Sequence, residues 1–267
     1  MYGYSVPVSR DASGTVRPRP LADLHGELPL VMYPYAEFLI DFERRHGDLV
    51  HENRPENTCA AVIVETRPLF FLPKVIRNVM YFLGPGWNLY VWCGPLNRDF
   101  LHESLPGWRM GLRTVPAQPW RISVNAYNGL LMSPVFWRDF TEEKVLVFQA
   151  DSLLADGGIE RFLGYDLVGA PCRSLDEQYI ANGGLSLRSR ELMVACTTRF
   201  RPAPAEPEDM FFTRRARRLG AALPDFTTAC RFSVESHYVG HPVGVHGTDK
   251  FFHGVDVAKK ITAAIKY

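Results

Sequence analysis

The chain has 267 residues, 46% of them hydrophobic, and its 30 Lys and Arg residues nearly balance its 29 Asp and Glu residues. This length and composition are typical of a globular protein with one large α/β domain or two small ones. The balanced charge argues against a protein whose main partner is nucleic acid, because such proteins carry an excess of basic residues.

The first 57 residues differ from the rest, with prolines at positions 7, 18, 20, 29, 34 and 55. An amphipathic helix is predicted from Tyr33 to His46, with Phe38, Leu39 and Phe42 on one face. We expect residues 1–57 to form an extension that packs on the main domain, and residues 58–267 to form that domain.

The main domain is predicted to alternate strands and helices. Strands are predicted at Cys59–Glu65, Asn88–Cys93, Trp108–Val115, Lys144–Phe148, Asp166–Gly169 and Gly184–Leu187. Helices are predicted at Pro68–Leu83, Ser123–Phe136 and Glu208–Leu219, the second of them interrupted near Pro134. Short apolar runs followed by helices are typical of parallel strands buried on both faces. The predicted fold class is therefore α/β, a Rossmann-like, mostly parallel sheet flanked by helices in a single domain.

The five cysteines are widely spaced and form no Cys-x-x-Cys pair, which favours reduced thiols over a zinc site or a disulfide framework. The start of the chain lacks the basic run and apolar stretch of a signal peptide. No apolar run reaches the roughly 18 residues that span a membrane. A cytoplasmic location is expected, and peripheral membrane association is compatible with the sequence.

The first residue that suggests chemistry is Asp151, which follows the apolar strand Lys144–Phe148. Ligands of open α/β sheets bind at the carboxyl ends of the strands. A carboxylate at that position can hold a divalent cation that bridges nucleotide phosphates. The alternative is a helix cap or an acid in a loop.

Three more polar signals follow downstream. His246 could be a second ligand of the same cation, and Lys250 could neutralise a diphosphate; the alternative is a surface histidine and lysine. Gly183 and Gly184 suggest close approach of the backbone to a ligand and positive φ, or else a plain turn. Glu208 and Asp209 supply either a general base or acids that favour a helix start.

Together these signals resemble the GT-A class of nucleotide-sugar glycosyltransferases and, more narrowly, the family of uncharacterised domains labelled DUF5672. The resemblance covers roughly residues 59–255. The segments that carry it are Phe148–Ser152, Tyr165–Pro171, Asn182–Arg188, Glu208–Phe212, Phe232–Glu235 and Gly244–Gly247.

The resemblance implies a GT-A-like hexosyl- or pentosyltransferase that moves a sugar from a nucleotide-sugar donor to a glycan or other hydroxyl acceptor. UDP-sugars are favoured as donors, and GDP-sugars come next. Asp209, or less favourably Glu208, is the implied base of an inverting reaction, and Asp151 and His246 are the implied ligands of Mn²⁺ or Mg²⁺. Donor contacts are implied for Glu65, Thr66, Arg67, Gln149, Asp151, Gly183, Gly184 and Lys250.

Two of these assignments leave alternatives open. Gln149 replaces the first acid of the Asp-x-Asp motif of the class, so transfer without a metal is compatible with the sequence, and so is a catalytically inactive protein that binds a nucleotide or glycan. Residues 65–67 either meet the base and ribose or merely open a helix. A third alternative, a nucleic-acid contact through the arginines of residues 214–218, is less favoured than a solvated helix face.

Overall fold

The structure, a computed structural model, describes residues 8–10, 16–18, 35–115, 122–173, 179–247 and 260–263. The first two of these segments, β1 (Val8–Arg10) and β2 (Val16–Pro18), pair with each other in antiparallel orientation. Within the described ranges, no helix is both long enough and apolar enough to cross a bilayer.

Six strands form the central sheet. Their bounds are Cys59–Glu65 (β3), Trp87–Cys93 (β4), Gly111–Thr114 (β5), Lys144–Phe148 (β6), Leu167–Arg173 (β8) and Tyr179–Ser189 (β9). The order across the sheet is β5-β4-β3-β6-β9-β8. The strands β5, β4, β3 and β6 are parallel to one another, whereas β9 is antiparallel to both of its neighbours.

Helices cover both faces of this sheet. Their bounds are Ala36–His46 (α1), Leu72–Leu83 (α2), Pro95–Ser104 (α3), Val124–Leu131 (α4), Pro134–Arg138 (α5), Arg190–Arg199 (α6), Glu208–Arg218 (α7) and Phe226–Phe232 (α8), with a 3₁₀ helix at Gly158–Phe162. Side chains of β3 alternate between the two cores: Ile63 packs toward α2, and Val62 packs toward α7. The prediction of a mostly parallel α/β sheet flanked by helices is confirmed.

Three short strands that the sequence analysis does not predict form a second sheet. They are Ser152–Leu154 (β7), Ser233–Val234 (β10) and Gly244–His246 (β11), in the order β10-β11-β7. The strand β11 runs antiparallel to β7, with His246 opposite Ser152. This pairing carries the late part of the chain back to the end of β6.

Several predicted bounds shift for local reasons. The helix predicted from Pro68 begins at Leu72, and Pro73 lies in its first turn, where the missing N–H costs nothing. The helix predicted at 123–136 is two helices, because Pro134 cannot donate a backbone bond and the Ser133 side chain caps the second one. The strand predicted at 184–187 is the middle of the longer β9.

The helix predicted at Tyr33–His46 is observed as α1, and residues 19–34 lie outside the described ranges. Leu39 of α1 is fully buried in the core beside α2. Glu43 of α1 accepts a 2.6 Å ion pair from Arg77 of α2, whose side chain is only 3% exposed. The helix α1 is thus part of the packed body of the protein.

Candidate functional site

The carboxyl end of β6 is closed by a tight turn. The Ser152 backbone N–H donates to the Gln149 carbonyl at 3.0 Å, and the Gln149 N–H donates back to the Ser152 hydroxyl at 3.3 Å. That hydroxyl also donates to the Gly184 carbonyl at 3.1 Å. The turn therefore holds Gln149 and Asp151 at the end of β6 and ties them to β9.

His246 lies against this turn, because β11 pairs with β7 directly after Asp151. Its Nε2 is 3.4 Å from Asp151 Oδ1 and 3.2 Å from Gln149 Oε1. The ring is buried, with 3% of the residue exposed. The two residues expected from the resemblance to share a cation are thus neighbours in space, together with Gln149.

The donor atoms of Gln149, Asp151 and His246 can be tested against a divalent cation. Neighbouring ligands of an octahedral cation with bonds of 2.0–2.1 Å lie about 3 Å apart, close to the two distances measured here. In the part of the chain that is described, no three His, Cys, Asp or Glu side chains form a metal-binding group. The set of one carboxylate, one imidazole and one amide fits Mn²⁺ or Mg²⁺ only with further oxygen ligands from phosphate and water.

The other ring nitrogen of His246 departs from the usual pattern of a metal-bound histidine. Such histidines generally donate their second N–H to a carboxylate or carbonyl group. Nδ1 of His246 is buried and has no hydrogen-bond partner among the described residues. The orientation of this ring is therefore fixed by packing and by Nε2.

On the opposite side of β9 lies a buried ion pair between Glu208 and Arg188. Arg188 donates to both carboxylate oxygens of Glu208, at 2.8 Å and 3.1 Å. The guanidinium carbon lies 5.6 Å from the Trp137 ring centroid and 5.2 Å from that of Phe212. Both partners are buried. Since both oxygens of Glu208 are bonded, its chemistry is that of a structural counter-ion rather than of a base.

Asp209, the next residue, is the acid whose ionisation is shifted. Burial and the negative charge of Glu208 raise the pKa of Asp209 to about 6, against the opposing effects of the Met210 N–H and of Arg188. One carboxylate oxygen accepts a 2.7 Å bond from that N–H. A carboxylate with a pKa near neutrality is suited to take a proton from a hydroxyl group.

Three partly buried side chains that are not among the predicted site residues form a group within reach of the Asp209 charge. Cys172 donates its thiol proton to Glu235 at 3.2 Å, and Asn182 donates to the Cys172 sulfur at 3.6 Å. Burial and the Glu235 carboxylate raise the pKa of Cys172 to about 12, so this thiol stays protonated. The sequence signals for this group are the places of Asn182 and Glu235 in two segments that carry the family resemblance, Asn182–Arg188 and Phe232–Glu235.

Tyr127 of α4 has a buried hydroxyl group that the charges of both clusters reach. Burial, with a further contribution from the charge of Glu208, raises the pKa of this phenol well above its usual value of 10. The Asp151 carboxylate acts on it in the same direction. A neutral hydroxyl therefore lies close to the carboxylates on both sides of β9.

The three residues predicted at the end of the first strand are tied to one another and to the fold. Arg67 forms a 2.6 Å ion pair with Glu65, and the buried Thr66 hydroxyl accepts a 2.7 Å bond from the Ile122 N–H. Ile63 pairs with Phe148, so this group and the Gln149 turn share one edge of the sheet. Lys250, the remaining predicted donor contact, lies outside the described residues.

Gly183 and Gly184 lie inside β9, between the two clusters. The expectation that they adopt positive φ is wrong, since neither is among the described residues with positive φ. The register of β9 against β8 shifts across this stretch, from Ser186 opposite Gly169 to Ala181 opposite Pro171, but neither glycine needs the left-handed backbone that only glycine adopts easily. The reason for glycine at these positions is the space around them.

Arginines of α7 form ion pairs and hydrogen bonds with other residues of the chain. Arg215 forms a 2.6 Å ion pair with Glu206, and Arg217 donates to the Tyr179 carbonyl at 2.5 Å. Their guanidinium groups also lie over the rings of Phe211 and Tyr179. Cations in the last turn of a helix complement its dipole, which is a structural role.

The family model described as "Protein of unknown function (DUF5672)" matches residues 109–246, more than half of the chain. The chain belongs to the DUF5672 family. The matched segment of this DUF5672 protein contains the Gln149 turn, both glycines, the Glu208–Asp209 pair and His246. It does not contain β3, whose end carries residues 65–67.

Solved structures give more distant similarities. Mouse xyloside xylosyltransferase 1 in its apo form is 12% identical, with 71% of this chain and 97% of that chain covered and a TM-score of 0.49. The glycosyltransferase GlyE of Streptococcus pneumoniae is 11% identical, with 77% and 60% covered and a TM-score of 0.48. The galactosyltransferase LgtC, solved with donor and acceptor sugar analogs, is 11% identical, with 78% and 96% covered and a TM-score of 0.44. The comparison with curated proteins finds no match.

Proposed function

We propose that this DUF5672 protein is a GT-A-like glycosyltransferase that moves a sugar from a nucleotide-sugar donor to a hydroxyl group of an acceptor. The observation that carries the proposal is the pairing of two unlike clusters across β9. One is the set of Gln149, Asp151 and His246 at the carboxyl ends of the parallel strands. The other is Asp209, with its pKa raised to about 6. These are the parts that departure of a diphosphate and activation of a hydroxyl require.

In the proposed reaction Asp209 is the base. The acceptor oxygen attacks the anomeric carbon and forms the new C–O bond, while the bond from that carbon to the diphosphate oxygen breaks and its electron pair leaves with the diphosphate. The hydroxyl proton passes to the Asp209 carboxylate. Attack on the face opposite the leaving group inverts the anomeric centre.

Glu208 is not the base in this proposal. Both of its oxygens accept bonds from Arg188, and removing it from that pair would leave a buried, uncompensated guanidinium group. Its charge instead raises the proton affinity of Asp209. We therefore assign the base to Asp209 alone.

The donor side is assigned to the Gln149 turn and His246. A Mn²⁺ or Mg²⁺ ion, when held by Asp151 and His246 with Gln149 beside them, supplies positive charge that stabilises a departing diphosphate. Lys250 is proposed to add to that charge, and residues 65–67 to meet the base and ribose. UDP is the favoured nucleotide, GDP comes next, and the sugar is a hexose or a pentose.

Nucleotide binding tests the donor side. The melting temperature of the protein should rise with one of UDP, GDP, CMP or dTDP, and rise further with manganese, because a ligand that binds only the folded state stabilises it. The control is Asp151→Asn, which should lose the manganese-dependent part of the shift. Absence of any shift with all four nucleotides would contradict the proposal.

A second function is favoured by one observation, the amide of Gln149 in place of the acid of the Asp-x-Asp motif. In this second proposal the protein is catalytically inactive and binds a nucleotide or a glycan. The two are separated by incubation with the nucleotide-sugar that stabilises the fold best, with manganese present. A transferase releases nucleotide diphosphate, by transfer or by slow hydrolysis, whereas an inactive binder releases none.

A further inference from the structure

Gly183 and Gly184 are consecutive residues of β9, at a stretch where its register with β8 shifts, and the space in front of each is filled by a different side chain. The Gly184 side faces His246, and the Gly183 side faces Glu208. These side chains belong to the two clusters of the proposed function. The backbone of Gly183 and Gly184 therefore lies next to a side chain from each of the two clusters.

A methyl group at position 184 would overlap the His246 ring. An ideal Cβ built there falls on Nε2, Cε1 and Cδ2 of the imidazole, far closer than the 3.0 Å that real Cβ atoms keep. The ring cannot retreat easily, because it is buried and Nε2 is held beside Gln149 and Asp151. Glycine at 184 therefore provides the volume that His246 occupies.

A methyl group at position 183 would overlap the Glu208 carboxylate. The built Cβ falls on Oε1, 2.9 Å from Cδ, and 3.0 Å from Nη2 of Arg188. The carboxylate is fixed by its two bonds to Arg188, which also donates to the Gly183 carbonyl at 3.4 Å. Glycine at 183 therefore provides the volume of the ion pair beside Asp209.

We infer that Gly183 and Gly184 are positioning residues, one for the base side and one for the leaving-group side, and not contacts of the donor. Because glycine has no Cβ, each position leaves room for a functional side chain from another part of the chain. Since the two side chains belong to different clusters, alanine at each position should damage a different half of the site. This inference rests on the proposed function for its kinetic consequences, but not for its structural ones.

The structural test is the ring ¹⁵N signals of His246, assigned by their loss in His246→Asn. We expect Gly184→Ala to shift them, and Gly183→Ala to leave them in place. Gly164→Ala is the matched control, since a Cβ there meets nothing within 4 Å. This readout needs neither donor nor turnover, so it stands even where no transfer is found. Unmoved His246 signals in Gly184→Ala would overturn the inference.

The stability test for the base side uses a shorter carboxylate. Gly183→Ala should lower the melting temperature by roughly 5–10 °C, as overpacking of a buried site does. The same change in a Glu208→Asp background should cost clearly less, because the carboxylate is withdrawn by one methylene. Strictly additive costs would overturn the assignment of Gly183.

The kinetic test separates positioning from donor contact. Gly184→Ala should raise the dissociation constant of the nucleotide with manganese about 10-fold or more, and Gly183→Ala should lower kcat with donor affinity kept within about 2-fold. Equal losses of donor affinity in both variants would favour direct contacts instead. If an alanine variant fails to fold, a second change should restore folding: His246→Ala for Gly184→Ala, and Glu208→Asp for Gly183→Ala. Each double variant should then be as stable as the protein with the second change alone. A double variant that still fails to fold would contradict the inference.

Discussion

Buried charged groups lie on both sides of β9, but their hydrogen-bond and ion-pair partners differ. On the base side, Arg188 donates to both oxygens of Glu208 and packs against two aromatic rings. On the leaving-group side, Nε2 of His246 lies beside Asp151 and Gln149, and its Nδ1 has no hydrogen-bond partner among the described residues. On the first side the Glu208 carboxylate is thus neutralised by a guanidinium group, whereas the second side brings together a carboxylate, an amide and an imidazole.

The largest effect should come from the base. Asp209→Asn removes the proton acceptor but keeps the size of the side chain, so turnover should fall by about 10²- to 10⁴-fold. Donor binding, which belongs to the other side of β9, should change by less than about 2-fold. Initial rates and nucleotide titrations measure the two quantities. Turnover close to that of the unmodified protein would show that the base lies elsewhere.

The next effect is on folding. Glu208→Ala leaves the Arg188 guanidinium buried without its counter-ion, which should lower the free energy of unfolding by about 3–5 kcal/mol. Chemical denaturation measures this loss. Glu52→Ala is the control, because its ion pair with Arg109 is exposed and should be worth less than about 1 kcal/mol. Equal losses in the two variants would contradict the account of the buried pair.

The pH dependence of stability should also separate the two sides. The pKa of Asp209 is raised in the folded state from 3.8 to about 6, so folding favours its protonated form. This contribution is favourable below about pH 4 and is lost as the pH rises through 6. Asp209→Asn should therefore be the more stable form above pH 6, by about 3 kcal/mol, and the advantage should vanish near pH 4.

The same ionisation predicts the pH dependence of turnover. Asp209 accepts a proton only as the carboxylate, so kcat should rise with pH through about 6. A profile that is flat from pH 5 to pH 8, with chemistry limiting the rate, would argue against Asp209 as the base. Glu208→Gln should move the rise to lower pH, because the Glu208 charge is one of the causes of the raised pKa.

The smallest effect is expected on the leaving-group side. Asp151→Asn keeps the size of a side chain that is 19% exposed at the end of β6, so the free energy of unfolding should change by less than about 1 kcal/mol. A loss of several kcal/mol would mean that Asp151 is as deeply paired as Glu208. Denaturation of Asp151→Asn beside Glu208→Gln, two isosteric changes of acid to amide, gives the direct comparison.

Much of the sheet is predictable from the chain. The strands Cys59–Glu65 and Lys144–Phe148 are nearly continuous apolar runs, and both form at the predicted residues. Such runs are recognisable because strands buried on both faces need apolar residues at successive positions. The strand β9 was predicted too short. It carries the polar residues Asn182 and Arg188, whose partners Cys172 and Glu208 come from other parts of the chain.

The site was less predictable than the sheet. The sequence identifies Asp151, Asp209 and His246 as polar residues near the ends of elements. It does not show that Arg188 forms an ion pair with Glu208. Nor does it distinguish a glycine needed for positive φ from one needed for space, since both are simply glycine. The role of Gly183 and Gly184 depends on side chains about 25 to 60 positions away, which only the folded chain brings together.

The order of the strands limits how this protein can be shortened. The family-matched residues 109–246 include β6, but its parallel neighbour β3 and the next strand β4 come earlier in the chain. A fragment cut at residue 109 would present the bare edge of β6, with unpaired amide and carbonyl groups along an apolar ribbon prone to self-association. An expression fragment intended to fold should therefore begin before α1, which also keeps Glu43, the ion-pair partner of the buried Arg77.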